Sequence, residues 1–141
     1  MWSSIANTIL NHPDLRDISF IVDHNGSAAP TDFGTLEFAN FIRLLESGRL
    51  YVKIGALHRR SDNIALMEPV VKAYANAAPN GIVWGSDWPH VNTTIKGLTP
   101  TPPIEVNTDE ELRLLRSWLT DIEWNKMLVL NPRHAFSVEA W

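Results

Sequence analysis

Hydrophobic positions along the chain alternate between two spacings. Three segments carry apolar residues at the helical spacing of three and four positions: 2–10, 38–45 and 69–78. Three shorter segments are rich in β-branched and aromatic residues, as strands are: 18–22, 50–54 and 82–85. Strands that alternate with helices form βαβ units. The sequence therefore predicts an α/β fold with a parallel sheet, whose third strand is apolar enough to be buried on both faces.

The last third of the chain has the pattern of helices without strands. Thr108 and Glu111 have the spacing of a capping box, in which each side chain bonds the other's backbone N–H. The helix that follows has a stripe of leucines: Leu112, Leu115 and Leu119. Asn131 and Pro132 are typical of a helix N-cap followed by a first-turn proline. We therefore expect Asn131 to begin a short final helix.

Residues capable of chemistry stand where the predicted strands stop. His24 follows the first strand, Arg59 and Arg60 follow the second, and Asp87 follows the third. Right-handed crossovers place the carboxyl ends of parallel strands at one edge of the sheet. We therefore expect these side chains to share a crevice.

Asp87 is the leading candidate for a catalytic base. A carboxylate at the end of a buried strand can bind a metal, orient water or accept a proton, and partial burial would raise its pKa. The alternative is that the Asp87 side chain caps the turn that follows.

Two histidines are further candidates. His24 can donate to a substrate carbonyl, act as a general acid or ligate a metal, or it can simply pair with Asp23 or the backbone. His90 either contacts substrate or has a structural role in the loop that holds Trp88 and Pro89.

Cationic side chains near the strand ends suggest an anionic substrate. Arg59 and Arg60 can grip carboxylates through paired, charge-assisted hydrogen bonds. The alternative for either arginine is an ion pair with Asp62, or exposure to solvent. Lys53, inside the second strand, is expected to meet a partner carboxylate or to face solvent.

Composition and missing motifs exclude several classes of protein. The 12 Lys and Arg against 16 Asp and Glu give a net charge of -4, which offers no basic surface for nucleic acid. With no cysteine, no signal-peptide pattern and no long apolar run, we expect a cytoplasmic protein that does not bind membranes. The chain lacks the motifs GxGxxG, GxxxxGK[ST], HExxH and GxSxG. Their absence counts against a nucleotide-binding protein, a zincin metalloprotease and a serine hydrolase.

Four motifs together resemble a known family. They are IVDHNG at 21–26, YVKIGALHRRS at 51–61, VWGSDWPH at 83–90 and LNPRHAF at 130–136. In this order they resemble the C-terminal half of the amidohydrolase-related (amidohydrolase 2) family, and most of all its lactonases of the 2-pyrone-4,6-dicarboxylate hydrolase kind. The resemblance covers nearly all of residues 1–141, which we treat as one partial domain.

The resemblance implies a fold and a set of roles. The family is a (β/α)8 TIM barrel, so the three strands would be the last three of eight. Asp87 would activate water or bind a metal, His24 would assist at the substrate carbonyl, and Arg59 or Arg60 would contact a substrate carboxylate. The implied reaction is hydrolysis of a carboxylate-bearing lactone or related cyclic ester. A zinc-dependent decarboxylase of the same family is the alternative.

Two departures from the family pattern bear on these roles. Gly26 is followed by Ser27, where dicarboxylate lactonases commonly have an arginine, so one carboxylate contact is in question. None of the five histidines forms the HxH pair of the family's first strand, so the cofactor is either absent or one divalent metal such as zinc.

A barrel of this kind needs roughly 250 residues, and three strands cannot close a cylinder. The open sheet edge would invite another chain, either a second copy or the N-terminal half of the barrel. The chain is thus expected to be a truncated barrel, which could be inactive alone or act only by association. A small doubly wound binding protein is a further alternative, against which the missing phosphate loop counts.

Overall fold

The order of helices and strands follows the sequence pattern. The computed structural model describes residues 1–91 and 102–137. Its strands are β1 (Phe20–Val22), β2 (Leu50–Ile54) and β3 (Ile82–Trp84). Its helices are α1 (Trp2–Asn11), α2 (Leu36–Glu46), α3 (Glu68–Ala77), α4 (Thr108–Trp118), α5 (Asp121–Asn125) and α6 (Asn131–Ala135). A π-helical turn, Lys126–Leu130, joins α5 to α6. Helices α1 to α3 alternate with the strands, which confirms the βαβ pattern.

The sheet is parallel and has the strand order β1-β2-β3. Val22 pairs with Val52, and Ile54 pairs with Trp84. The predicted α/β class is therefore confirmed, and all three strands end at the same edge. Their carboxyl ends lead into the turns that carry His24, Arg59 and Asp87.

The core lies between one face of the sheet and the helices. Strand β2 alternates in burial: residues 50, 52 and 54 are buried, whereas Tyr51 and Lys53 are only half-buried on the opposite face. In β3, Ile82 and Val83 are both buried, as the sequence predicts, and Trp84 is half-buried. Tyr74 from α3 is fully buried in the core and stacks on Phe38 from α2. Among the described residues, no helix has the length and apolarity needed to cross a bilayer.

The predicted capping box at the start of α4 is wrong. Asn107 is the N-cap, and its side-chain oxygen accepts from the backbone N–H of Glu110. Thr108 is the first helical residue instead. Glu111 points into the core and is 3% exposed. The buried N–H of Leu57 and the partly buried indole N–H of Trp84 need an acceptor there, and this need outweighs the local capping preference.

Asn131 is also not an N-cap. The π-helical turn runs directly into α6, so Asn131 is already helical and its side chain has no capping role. Its amide instead donates to the carbonyl oxygens of Pro79 at 3.0 Å and Ile82 at 2.7 Å. The side chain is thus a buried tie between the last helix and the start of β3.

Candidate active site

Side chains from all three strand ends meet at Asp87. The Nε2 atom of His24 lies 2.7 Å from Oδ1 of Asp87. The Nε atom of Arg59 donates to the other carboxylate oxygen, Oδ2, at 2.5 Å. The predicted convergence is confirmed for these three residues, since one carboxylate holds both partners.

Left-handed backbone conformations follow each strand and aim these side chains. His24 has a φ of 50°, Ala56 has a φ of 52°, and Asp87 has a φ of 62°. Such values are uncommon for residues other than glycine, and each costs about 1–3 kcal/mol. They persist only where surrounding contacts enforce them, which is typical of sites under functional constraint.

Asn25 supplies one of those contacts. Its side chain is fully buried and bonds the backbone of Gly55 twice, donating to the carbonyl oxygen at 2.6 Å and accepting from the N–H at 3.4 Å. Its own carbonyl oxygen accepts from the Tyr74 hydroxyl at 2.8 Å. Asn25 therefore locks the turn after β1 to the end of β2. The sequence does not predict this role, because Asn25 stands beside His24 among polar residues that are typical of the end of a strand.

Glu111 anchors the turn after β2 in the same way. Its carboxylate accepts from the backbone N–H of Leu57 at 2.9 Å and from the indole Nε1 of Trp84 at 3.3 Å. Burial raises the pKa of Glu111, and these two hydrogen bonds offset part of the rise. Because Leu57 begins the turn that carries Arg59, the hydrogen bond from Leu57 to Glu111 fixes the position of that turn.

The charge state of Asp87 differs from the expectation. Burial does act to raise the pKa of Asp87, but the hydrogen bonds from Arg59 and His24 outweigh it and hold this pKa below its usual value. The predicted rise is therefore wrong, because the sequence could not show that a guanidinium and an imidazole both touch the carboxylate. Asp87 is an anion at neutral pH.

The contacts of Asp87 and His24 do not match their alternative structural roles, in which Asp87 caps a turn and His24 pairs with Asp23 or the backbone. The turn after Asp87 is bonded by Ser86, whose Oγ accepts from the N–H of Trp88 at 3.3 Å. Asp23 is the partner carboxylate expected for Lys53, and the two side chains form an ion pair. His24 contacts Asp87 instead of Asp23.

The two arginines have different surroundings. The terminal nitrogens of Arg59 donate to the carbonyl oxygen of Val91, each at 3.2 Å, so this guanidinium is already engaged on two sides. Arg60 has a weaker contact, from Nη2 to the Ser27 hydroxyl at 3.4 Å. Arg60 is therefore the arginine better placed to meet a ligand.

An open cleft of about 620 Å³ lies over these residues. His24, Arg59, Arg60 and Asp87 line it, and Trp88, a residue that is 79% exposed, forms part of its rim. Two guanidiniums and one carboxylate, together with an indole, suit a small, flat anionic molecule.

Two further histidines, His58 and His90, lie beside the Asp87 carboxylate. The rings of His58 and His90 are 5.6 Å apart between centroids and nearly perpendicular. With Asp87 they form a cluster whose ligand atoms all lie within 4.8 Å of one another. Burial lowers the pKa of His58, and the charges of Arg59 and His90 add to this effect. Two imidazoles and a carboxylate are typical ligands of a divalent metal such as zinc, so the donor set fits such an ion.

His58 is not among the residues that the sequence predicts for the site, although it lies in the motif 51–61. His90, expected to contact substrate or to be structural, packs against His58. No local pattern in the sequence indicates that two histidines 32 positions apart would meet.

Comparison with known proteins supports the family resemblance. The amidohydrolase family profile matches residues 4–137. A D-galactarolactone isomerase of Agrobacterium fabrum is 30% identical over 146 residues, which cover 94% of this chain and 46% of that protein. A 4-sulfomuconolactone hydrolase of Hydrogenophaga intermedia is 29% identical over 77 residues, or 52% of this chain and 25% of that protein.

Two solved structures share the fold. A proposed 2-pyrone-4,6-dicarboxylic acid hydrolase of Pseudomonas putida superposes with a TM-score of 0.72 at 20% identity, covering 97% of this chain and 50% of that one. An apo protein of Agrobacterium tumefaciens gives a TM-score of 0.67 at 24% identity, covering 96% and 49%. Both are amidohydrolase-like TIM barrels. The chain spans about half the length of these relatives or less, and it belongs to the amidohydrolase family.

Proposed function

We propose that this chain provides the catalytic carboxylate of an enzyme that opens a lactone or a related cyclic ester bearing a carboxylate. The observation that carries the proposal is the Asp87 side chain, which His24 and Arg59 clamp at the strand ends. The names of two relatives, a lactone hydrolase and a lactone isomerase, support the substrate class.

The three strands correspond, in this proposal, to the last three of an eight-stranded barrel. Two solved barrels match the chain along about half of their own length. The face of β2 that carries Tyr51 and Lys53 is only half-buried, as expected for a face that would turn toward a barrel interior. The remaining strands would line the rest of the site, and turnover by the purified chain measures how much of the reaction these three strands support alone.

In the reaction, Asp87 accepts a proton from water. Each carboxylate oxygen has a second lone pair beyond the one used by His24 or Arg59, so a water molecule can bind on the open side. The water oxygen attacks the lactone carbonyl carbon, the ring C–O bond breaks, and the ring oxygen leaves as an alcohol after it takes up the proton that Asp87 accepted, which restores the carboxylate. The lowered pKa keeps Asp87 ionised, which makes the base available at neutral pH.

His24 assists at the carbonyl. When protonated, an imidazole donates through both ring nitrogens. One of them, Nε2, is held by Asp87, and the other would donate to the carbonyl oxygen as negative charge develops there. The contact with Asp87 fixes the ring orientation before substrate arrives.

Arg60 binds the carboxylate of the substrate, and Arg59 orients the base. This division follows from their contacts: Arg59 already bonds Asp87 and the Val91 carbonyl, whereas Arg60 has one long contact with Ser27. Ser27 occupies the position at which the dicarboxylate lactonases that this chain resembles commonly have an arginine. Arg60, which contacts Ser27, is therefore the nearby cation that can bind an anionic group.

Metal-dependent decarboxylation by the same family is the second candidate, and the cluster of His58, His90 and Asp87 favours it. These residues would hold the ion, which would polarise a substrate oxygen when bound. His24 and Arg60 would orient the substrate in either reaction.

The proposed function is tested with carboxylated and sulfonated lactones as substrates of the purified chain. The Asp87→Asn variant removes the base and keeps its shape, so we expect turnover to fall by about 10²–10⁴-fold. Asp23→Asn is the matched control, because Asp23 also follows a strand but pairs with Lys53. Turnover of Asp87→Asn within about tenfold of the unmodified chain would refute the assigned role. A chain silent toward the whole panel would favour a half-barrel that needs a partner chain.

A further inference from the structure

The cluster of His58, His90 and Asp87 combines side chains from two turns. His58 lies in the turn after β2, whereas Asp87 and His90 belong to the loop after β3. The ligand atoms all lie within 4.8 Å of one another. Ligands of tetrahedral zinc, with bonds of about 2.1 Å, lie about 3.4 Å apart. The separations in this cluster therefore exceed that spacing by about 1.4 Å at most.

The two imidazoles have unused nitrogens. Within residues 1–91 and 102–137, both ring nitrogens of His58 and the Nδ1 atom of His90 are buried and have no hydrogen-bond partner. A buried polar atom without a partner costs about 1–3 kcal/mol. A neutral imidazole always has one nitrogen lone pair that can ligate a metal. The unpaired nitrogens beside a carboxylate therefore point to a ligand that accepts electron pairs.

We propose that His58, His90 and Asp87 bind one divalent transition-metal ion, such as Zn²⁺ or Co²⁺, with the two imidazoles as its principal ligands. None of these residues is part of an HxH pair, so the site is built from the second half of the barrel alone. Nitrogen ligands favour late transition metals over Mg²⁺ or Ca²⁺, which prefer oxygen.

The neighbouring charges set the strength of this site. Asp87 attracts the ion, but Arg59 holds one of the carboxylate oxygens and repels a cation. The imidazoles consequently carry most of the affinity, and removal of the guanidinium strengthens binding. Arg59→Met is therefore expected to tighten metal binding, whereas the other substitutions at the site weaken it.

This inference does not depend on the proposed lactone chemistry, because metal binding is measured without turnover. The purified chain is stripped of metal with a chelator and titrated with Co²⁺, whose visible absorption reports four-coordinate nitrogen ligation, and with Zn²⁺ by calorimetry. We expect one ion per chain. Changes to residues that only support a metal ligand typically weaken binding by about 10–100-fold. His58→Gln and His90→Gln each remove a ligand, so each should weaken binding by at least about 100-fold.

His134→Gln is the control, because His134 is exposed in α6 and belongs to no such cluster among the described residues. It should bind Co²⁺ like the unmodified chain. In the unmodified chain, Zn²⁺ should also shift the ring NMR signals of His58 and His90 and leave those of His12 and His134 in place. This second measurement needs no variant to fold. Failure to bind either ion, unchanged affinity in both glutamine variants, or ring shifts confined to other histidines would overturn the proposal.

Discussion

Arg59 donates from Nε to Oδ2 of Asp87 at 2.5 Å, which joins the turn after β2 to the loop after β3. Both side chains are largely buried, with 15% and 18% of their surface exposed. An ion pair in such a setting interacts more strongly than one at an open surface, because solvent screens it less. This pair therefore sets both the position and the charge of the carboxylate.

Substitution of the two arginines should have different kinetic effects. Arg59→Met removes the cation that favours ionised Asp87, so the pKa of Asp87 rises and activity is lost at a higher pH on the acid side of the profile. Arg60→Met should mainly raise KM for a carboxylated lactone, since it removes a substrate contact. The measurement is kcat and KM against pH for both variants. Identical profiles for the two would contradict the division of roles.

Glu111→Gln tests the buried carboxylate behind the site. Because burial raises the pKa of Glu111 in the folded state, the folded chain holds this proton more tightly than the unfolded chain. The proton bound to Glu111 stabilises the folded chain fully at pH values below the pKa of the unfolded chain. This stabilisation is lost as the pH rises through the pKa of the folded chain. The free energy of unfolding of the unmodified chain should thus fall relative to that of Glu111→Gln over this window. Urea unfolding at several pH values measures the difference, and parallel pH curves would contradict it.

Gly55→Ala tests the close approach of the strand ends. A Cβ atom on Gly55 would lie 2.0 Å from the carbonyl oxygen of Gly85, and the φ of 144° disfavours any other residue. We expect a loss of several kcal/mol in the free energy of unfolding, or failure to fold. Gly34→Ala is the control: it also has a positive φ, of 83°, but a Cβ there meets open space. Its cost should stay within about 1–2 kcal/mol, the usual cost of a left-handed conformation for a residue with a Cβ. Equal losses would show that backbone conformation alone, without the Gly85 contact, explains the effect.

The sequence predicts the elements well because they depend on local patterns. Strand β2 is observed over the predicted residues, and α1 ends at Asn11, before His12 and Pro13, as its pattern indicates. The convergence of His24, Arg59 and Asp87 is also predictable, since it follows from parallel strands with their ends at one edge.

Long-range polar contacts are what the sequence does not predict. Glu111 and Asn131 have the spacing of helix caps, yet both side chains are buried and bond distant backbone or indole groups. Asn25 is a third example. The lowered pKa of Asp87 and the meeting of His58 with His90 likewise depend on partners about thirty or more positions away. Local spacing carries no information about such partners.

The most direct test is an NMR titration of the Asp87 carboxyl carbon in the unmodified chain and in Arg59→Met. The clamp between His24 and Arg59 predicts a pKa below the ordinary value for an aspartic acid, and a rise in that pKa when Arg59 is replaced. A pKa at or above the ordinary value, unchanged by the substitution, would contradict it.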